Sequence, residues 1–254
     1  MSKQSRIRTQ ELRKAQLEAA ARKAKRRRIL QVLGGVVILG LVAAIVLVAV
    51  RAGNDDEKLP EVSGEVIPPD NLTSSGTIPV GSADAPVVVE IYFDYMCPVC
   101  GQFEKANAEE LSRLIEDGTV QVELRPLAFL DKFSNGTEYS SRTANDLAAV
   151  ADAAPDRVWD FHDALYAEQP EENSDGLSDD EIASIAEDAG VPADVVETFG
   201  DGTYRPWVAS VTQDALDQDW FTGTPTVLID GEVFDGDLFT TGPLTDAIES
   251  AAAG

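Results

Sequence analysis

The chain has 254 residues, of which 20 are Lys or Arg and 45 are Asp or Glu, so its formal net charge is −25. The charge is unevenly distributed: residues 1–28 hold 11 basic and 2 acidic side chains, whereas residues 52–254 hold 8 basic and 43 acidic ones. The long acidic part argues against nucleic-acid binding, because phosphates need basic partners, and a hydrophobic fraction of 44% argues against wholesale disorder.

Residues 29–50 form an uncharged, strongly apolar stretch of 22 residues. As a helix this stretch would be about 33 Å long, which is enough to cross the hydrocarbon core of a bilayer. A cleaved signal peptide is the alternative, but the stretch exceeds the usual apolar region of such signals, and no Ala-x-Ala-like site follows Val50. We therefore predict a single transmembrane helix that acts as an uncleaved signal anchor.

The charges on either side of this helix predict its orientation. Lys23, Lys25 and three consecutive arginines precede it, whereas Arg51 behind it is soon followed by three acidic residues. By the positive-inside rule, residues 1–28 form a basic cytoplasmic segment and the rest of the chain is extracytoplasmic. Because the basic segment is rich in Ala, Glu and Gln, we expect a helix that lies on anionic lipid headgroups rather than a nucleic-acid site.

Residues 51–75 contain three prolines, several Gly and Ser, and few large apolar side chains, which predicts an extracytoplasmic linker. A globular domain is expected over residues 76–254. Residues 87–93 are apolar and rich in β-branched side chains, as in a strand that is buried on both faces. The period-two alternation of residues 119–126 predicts a second strand.

A helix is expected between these two strands, from Pro98 to Glu116. Its predicted buried stripe consists of Phe103, Ala106, Leu111, Leu114 and Ile115. A strand–helix–strand unit of this kind implies a parallel pair of strands with a right-handed crossover.

The second half of the domain begins with a helical region, an insertion over about residues 131–222. Helices are predicted at residues 142–154, 158–167, 178–189 and 205–218. Ser178 and Glu181 form the pattern of a capping box. Strands follow at residues 226–229 and 232–234 around an Asp-Gly turn, and a helix at residues 243–252 ends the chain. The order is β-α-β … β-β-α, an α/β fold with an all-helical insertion.

The only two cysteines lie in one Cys97-Pro-Val-Cys100 motif, too few for a small fold held together by disulfides. Cys97 ends the first strand segment, and Pro98 suits the first helical position because its missing N–H would be unpaired there. The Cys97 sulfur then faces the free amides of Val99 and Cys100 and the positive end of the helix dipole, which lowers its pKa to about 3.5–7 in such motifs. Cys100 lies one turn further on and is suited to resolve a mixed disulfide.

Three less reactive roles are also consistent with the cysteine pair. It could be half of a metal site, but zinc requires four ligands, and the chain adds only His162 to the two cysteines. It could be an inert structural disulfide, although so short a loop constrains the unfolded chain little. It could also be a chance pair of buried thiols. We predict neither a bound metal nor a cofactor.

A second element is the segment Gly223-Thr-Pro-Thr226 at the start of a predicted strand. Proline there cannot donate a ladder hydrogen bond, and a cis Thr224–Pro225 bond would explain its presence. If this turn lies beside Cys97, the backbone of Thr224 is free to pair with an incoming peptide.

Four motifs in order resemble the DsbA-like branch of thioredoxin-fold proteins. They are Gly81-Ser-Ala-Asp-Ala-Pro86, Phe93-Asp-Tyr-Met-Cys97-Pro-Val-Cys100, Trp159-Asp-Phe-His162-Asp-Ala-Leu-Tyr166 and Thr224-Pro-Thr-Val-Leu-Ile-Asp-Gly231. The resemblance covers residues 76–252. It implies a thiol–disulfide oxidoreductase with a Cys97–Cys100 disulfide, in which Cys97 attacks, Cys100 resolves and Pro225 is the cis-proline opposite them. It also implies exported proteins as substrates and a quinone-linked membrane partner of the vitamin K epoxide reductase type.

The chain departs from this family at two places. Val99 replaces the histidine of DsbA proper. Because that histidine would help to stabilise the thiolate, the resemblance does not predict the redox potential of this chain. Ile91 stands where related proteins usually carry a buried acid that relays protons, and Glu90 stands one residue earlier, on the other face of the strand. Glu90 is either that relay or a surface-facing residue. For His162 we expect a packed, hydrogen-bonded structural role.

We therefore predict a membrane-anchored extracytoplasmic enzyme that donates its disulfide to exported polypeptides. A thiol reductant, as in cytochrome c maturation, and a non-catalytic thioredoxin-fold binding module are the alternatives.

Overall fold

The computed structural model describes residue 60 and residues 62–253. The predicted cytoplasmic segment 1–28 and transmembrane helix 29–50 lie outside the described residues, as do residues 51–59 and 61 of the predicted linker 51–75. Over the part of the chain that is described, no helix is both long enough and apolar enough to cross a membrane.

Five strands form one mixed sheet in the order β1-β3-β2-β4-β5. They are β1 (Ile78–Val80), β2 (Val87–Phe93), β3 (Val120–Pro126), β4 (Thr226–Ile229) and β5 (Glu232–Val233). β2 and β3 are parallel, and the other neighbours in the sheet are antiparallel. The predicted strand–helix–strand unit and the later hairpin are both present. The sequence pattern missed β1, which has only three residues, too few to show a period.

Helix α1 (Pro98–Glu116) follows β2 and packs on the sheet. Its buried residues are Cys100, Phe103, Glu104, Asn107, Leu111 and Leu114. The predicted stripe is therefore corrected: Ala106 and Ile115 are only half-buried, whereas the polar Glu104 and Asn107 are buried. The Nδ2 of Asn107 donates to the carbonyls of Phe103 and Leu238, both at 2.8 Å, which explains how an amide is accommodated there.

The insertion between β3 and β4 is helical. Its α-helices are α2 (Tyr139–Ala153), α3 (Val158–Ala167), α4 (Asp179–Asp188), α5 (Ala193–Val196) and α6 (Arg205–Leu216), with short 3-10 turns at Asp131–Phe133, Pro155–Arg157 and Phe199–Asp201. The Ser178–Glu181 capping box is confirmed in full. Four of the five α-helices match a predicted one. The fifth, α5, has only four residues and follows Pro192, so no periodic pattern indicated it.

Helix α7 (Pro243–Ala252) ends the domain. Ahead of β1, the chain already contacts the insertion, since the Nδ2 of Asn71 donates to the carbonyls of Ala151 and Asp152 at the end of α2, at 3.2 and 2.8 Å. Residues at the end of the predicted linker are thus attached to the domain, a few positions before residue 76.

Candidate active site

Cys97 lies at the N-terminus of α1, as the sequence pattern predicts. It is the N-cap residue, with φ −76° and ψ 112°, and Pro98 occupies the first helical position. The N–H of Cys97 donates to the carbonyl of Asp94 at 2.9 Å, which joins the turn to the end of β2. Both cysteines are free thiols here, with Cys97 3% exposed and Cys100 fully buried.

The surroundings of Cys97 lower the pKa of its thiol from 9.0 to about 6. The largest cause is a hydrogen bond from the Cys100 thiol, followed by contributions from the Thr224 side chain and from the amides of Cys100 and Val99; burial opposes them. A thiolate at this position is therefore stabilised by donors from two separate parts of the chain. At neutral pH most of Cys97 is ionised, and the thiolate is the form that attacks disulfides.

The second thiol behaves in the opposite way. Burial raises the pKa of Cys100 well above its ordinary value, and the neighbouring Cys97 raises it further. Cys100 is therefore a neutral thiol when Cys97 is a thiolate. This asymmetry is what a pair consisting of an attacking and a resolving cysteine requires.

The two pKa values predict selective alkylation of the reduced full-length chain. The rate of Cys97 modification by iodoacetamide should rise with pH to a midpoint near pH 6, while Cys100 stays unmodified. Thr224→Val should shift this midpoint upward, because the Thr224 side chain helps to lower the pKa. Peptide mapping by mass spectrometry distinguishes the two cysteines. A midpoint near the ordinary cysteine value, or equal labelling of both, would contradict the assignment.

The Thr224–Pro225 turn lies opposite Cys97. The Thr224–Pro225 peptide bond is cis, as the family resemblance implies, and the carbonyl oxygen of Thr224 is 3.5 Å from Cys97 Sγ. The loop before β4 thus meets the start of α1, although 127 positions separate the two residues.

Aromatic residues just before this turn pack on β2. The ring centroids of Trp220 and Phe221 lie 5.3 and 6.0 Å from that of Tyr92. Both residues are half-buried. Their main contacts are therefore within the fold.

Glu90 contacts other groups than the cysteines. Its Oε2 accepts a hydrogen bond from Arg125 Nε at 3.1 Å in an ion pair whose two side chains are each 17% exposed, and it lies 3.4 Å from the hydroxyl of Tyr92. Glu90 is not among the largest contributions to the pKa of either thiol. The contacts give Glu90 an ion pair with Arg125 and leave both alternatives, relay and surface-facing residue, as predictions.

The sequence reasoning missed Asp94, which follows β2 and is fully buried. Its carboxylate accepts hydrogen bonds from the amides of Met96 and Leu130, at 2.9 and 3.0 Å, and from the hydroxyl of Ser140. Burial raises its pKa to about 7 despite these donors. Asp94 thereby links the cysteine turn to the helical insertion. The sequence feature that could have indicated Asp94 is its position between a buried strand and the cysteine motif.

Gln169 was also missed. Its Nε2 donates to the carbonyls of Tyr95 and Cys97, at 3.1 and 2.8 Å. Gly101 permits this approach, because a Cβ at that position would lie 2.1 Å from Oε1 of Gln169. The insertion thus holds the cysteine turn from the side, by a contact that no local pattern in the sequence indicates.

His162 has the packed, hydrogen-bonded position that we expected. It is fully buried, with Nδ1 at 3.0 Å from the hydroxyl of Tyr95 and Nε2 at 3.1 Å from Oε1 of Glu104. Its ring also packs against Phe93, at a centroid distance of 4.7 Å. Across residues 60 and 62–253, no three His, Cys, Asp or Glu side chains are grouped so that they could hold a metal ion.

Comparison with known proteins agrees with this geometry. A family model described as thioredoxin matches residues 73–249. Among curated proteins, the serine/threonine-protein kinase PknE of Mycobacterium tuberculosis is 29% identical over 127 residues, which are 48% of this chain but only 22% of that protein. The chain therefore spans less than a quarter of the length of this relative.

Two further relatives match over most of their length. Disulfide bond formation protein D of Bacillus subtilis is 27% identical over 157 residues, 61% of this chain and 68% of that protein. The solved structure of MdbA, a thiol-disulfide oxidoreductase from Actinomyces oris, is 28% identical with a TM-score of 0.62, and the match covers 75% of this chain and 92% of MdbA.

Proposed function

The chain belongs to the thioredoxin family, and from this membership we propose that it is a thiol–disulfide oxidoreductase that oxidises cysteines of exported proteins through a Cys97–Cys100 disulfide. The observation that carries the proposal is the placement of the pair: Cys97 caps the N-terminus of α1 opposite the cis Thr224–Pro225 bond, and Cys100 is fully buried one turn further on. This placement lowers the pKa of Cys97 and raises that of Cys100. MdbA and disulfide bond formation protein D, which match over most of their length, support the same chemistry.

The reaction takes place in two exchanges. A substrate thiolate attacks Cys97 Sγ of the oxidised protein, a substrate–Cys97 disulfide forms, and the Cys97–Cys100 bond breaks with its electron pair on Cys100. A second substrate thiolate then attacks the substrate sulfur and expels Cys97. Because the pKa of Cys97 is low, it is a good leaving group, and it remains as a thiolate. The substrate loses two electrons and the protein gains them.

The Thr224–Pro225 turn would position the substrate. The Thr224 carbonyl is 3.5 Å from Cys97 Sγ, and Pro225 brings no N–H of its own. A peptide that pairs with the Thr224 backbone would therefore hold its cysteine beside Cys97. Val99, which is 40% exposed at the start of α1, would face that peptide as an apolar residue, whereas DsbA proper has histidine there.

The low pKa of Cys97 also supports an oxidising direction. Any interaction that stabilises the reduced, thiolate form makes the disulfide a stronger oxidant. Here the Cys100 thiol, the Thr224 side chain and two amides stabilise this form without the histidine. The alternative is a reductant that the cell keeps in the dithiol state.

The charge pattern of the N-terminal residues supports the proposed location. With a basic segment over 1–28 and an apolar stretch over 29–50, the domain would be tethered outside the cell membrane with its N-terminus in the cytoplasm. A quinone-linked membrane protein of the vitamin K epoxide reductase type would then reoxidise the pair. No part of this tether lies within the described residues.

Trapping covalent complexes tests the proposal in cells. Full-length Cys100→Ala should accumulate disulfide-linked adducts with exported proteins. Its Cys97 thiolate can attack a disulfide of such a protein, expelling one substrate thiolate in the reverse of the second exchange, and the residue that could then release Cys97 is gone. The double variant with Cys97→Ala as well should show none on non-reducing gels. If membranes from the single variant contain no adducts, the enzyme proposal fails. In wild-type cells the pair should be mainly oxidised; a mainly reduced pair would overturn the oxidising direction.

A further inference from the structure

Gln169 follows α3 and contacts the cysteine turn, residues 94–97, from the side of the helical insertion. Its backbone N–H donates to the carbonyl of Tyr166 at 3.3 Å, which continues the last turn of α3. Its side chain is half-buried and bonds to two residues of the turn that lie 72 and 74 positions earlier in the chain. The two thiol exchanges assign no role to this residue.

The side-chain amide of Gln169 bridges two backbone carbonyls. Its Nε2 lies 3.1 Å from the carbonyl oxygen of Tyr95 and 2.8 Å from that of Cys97, so both of its hydrogens are donated. In the reverse orientation Oε1 would face these two oxygens, and it has no hydrogen with which to pair with them. The amide therefore has one favourable orientation, in which it holds the backbone on both sides of Met96.

The same end of α3 holds a third carbonyl of the turn. The hydroxyl of Tyr166 donates to the carbonyl of Asp94 at 3.3 Å, and the N–H of Cys97 donates to that carbonyl at 2.9 Å. Within α1, the carbonyl of Cys97 also accepts from the N–H groups of Cys100 and Gly101, at 3.0 and 3.3 Å. The cysteine turn is thus held between α1 and α3, and the position of the Cys97 sulfur depends on both helices.

Gly101 leaves the space that the Gln169 amide occupies. A Cβ at position 101 would lie 2.1 Å from Oε1 and 3.0 Å from Cδ of Gln169, too close for packed atoms. Gly101 lies within α1 and does not have a positive φ, so its backbone conformation does not require glycine. Glycine is also less favourable in a helix than alanine. The close approach of Gln169 is therefore the physical reason for a glycine at this position.

We propose that Gln169 is a positioning residue for Cys97, which holds the Cys97 sulfur at the first amides of α1 and beside the Thr224 carbonyl. This inference rests on the proposed function. Without the amide contact the cysteine turn can rotate, and the sulfur loses its fixed geometry toward its donors. Two carbonyl oxygens, which carry partial negative charge, also lose a donor close to the thiolate. The helical insertion thereby helps to stabilise the reduced form of the pair.

The charged and titratable groups around this contact are retained in every variant used to test it. They are Asp94, Tyr95 and Cys97 from the cysteine turn; Cys100, Glu104, Lys105 and Glu109 from α1; and His162, Asp163 and Tyr166 from α3. A change in the titration of Cys97 in these variants therefore reports the loss of the amide contact.

Alkylation of the reduced full-length chain by iodoacetamide tests the inference. Gln169→Met keeps the length of the side chain but carries no N–H donor. Its Cys97 midpoint should lie about 0.3 to 1 pH unit above that of the wild type, which corresponds to the roughly 2- to 10-fold stabilisation that one hydrogen bond provides. In equilibrium with reduced and oxidised glutathione, the disulfide of the variant should be favoured by the same factor, because a less stable thiolate makes a weaker oxidant.

Gly101→Ala breaks the same contact without removing a polar group. The added methyl displaces the amide of Gln169, so the Cys97 midpoint and the glutathione equilibrium should shift in the same direction. This variant also provides the test if Gln169→Met does not fold. The double variant Gln169→Ala/Gly101→Ala should shift no further than Gln169→Ala alone, because both changes remove one contact. Shifts that add in the double variant would overturn the inference.

Gln102→Ala is the matched control. It removes the same kind of side chain from an exposed position next to Gly101 and should leave the midpoint and the equilibrium unchanged. If Gln169→Met and Gly101→Ala lower only the thermal midpoint of unfolding, the role of Gln169 is structural, the inference is wrong and the proposed function stands. If the wild-type disulfide does not oxidise a two-cysteine peptide at all, the proposed function fails first and the inference fails with it.

Discussion

Replacing Cys97 with alanine is expected to abolish disulfide transfer and reduce the rate of peptide oxidation to the background of the uncatalysed reaction. The expected effect is this large because Cys97 is the only thiol of the pair with a lowered pKa, whereas Cys100 is fully buried with a raised one. The chain has no third cysteine that could take over the role of Cys97. The measurement is oxidation of a two-cysteine peptide by the full-length chain, followed by thiol quantification.

The fold should survive this change. The thiol of Cys97 contacts the Thr224 carbonyl at 3.5 Å, a weak interaction, and alanine fills most of the volume of cysteine. The thermal midpoint should therefore stay within a few degrees of the wild-type value, and binding of a reduced peptide should persist. If Cys97→Ala still oxidised peptide at a rate near that of the wild type, the site assignment would be refuted. Persistent binding without any wild-type oxidation would point to the binding-module alternative.

Replacing Phe93 with alanine is expected to lower the free energy of unfolding by about 3–5 kcal/mol, the usual cost of removing a buried phenylalanine ring. Phe93 is fully buried at the end of β2, and its ring centroid lies 5.2 Å from Tyr95, 4.7 Å from His162 and 6.2 Å from Tyr166. The ring thus supports the cysteine turn and α3 together. A loss of this size is a large fraction of the roughly 5–15 kcal/mol by which domains are usually stable.

Urea unfolding followed by tryptophan fluorescence measures this effect. Phe239→Ala is the matched control, because Phe239 is 50% exposed and a change at an exposed position usually costs less than about 0.5 kcal/mol. A loss below about 1 kcal/mol for Phe93→Ala would mean that the aromatic cluster beneath the site contributes little to stability. Equal losses for both variants would contradict the burial assigned to them.

Several features of the fold could be read from residue patterns because they depend on neighbours in the chain. The strand Val87–Phe93 and the strand Thr226–Ile229 have the predicted bounds, since a continuous apolar run and a turn signal are local properties. The capping box of Ser178 and Glu181 is equally local. The strand β1 and the helix α5 were not predicted, because three or four residues are too few to show a periodic pattern.

The same division applies to the site. The place of Cys97 at a helix N-terminus, ahead of Pro98, follows from adjacent residues and could be predicted. Glu104 lies on the buried face of the helix that also carries Cys100. The predicted buried stripe left it out because only apolar side chains were considered. Burial of a polar residue can be predicted from the sequence only when its hydrogen-bond partner is known. The partner of Glu104 is His162, which is 58 positions away.

The sequence by itself determined which sulfur has the free amides of a helix start beneath it, because four consecutive residues suffice for that arrangement. Only the tertiary structure decided what else surrounds the pair: the Thr224 carbonyl from a loop 127 positions away, the Gln169 amide over Gly101, and the buried carboxyls of Asp94 and Glu104. The physical reason is that local backbone geometry depends on neighbours in the chain, whereas burial and pKa depend on every group that the fold brings within a few ångströms.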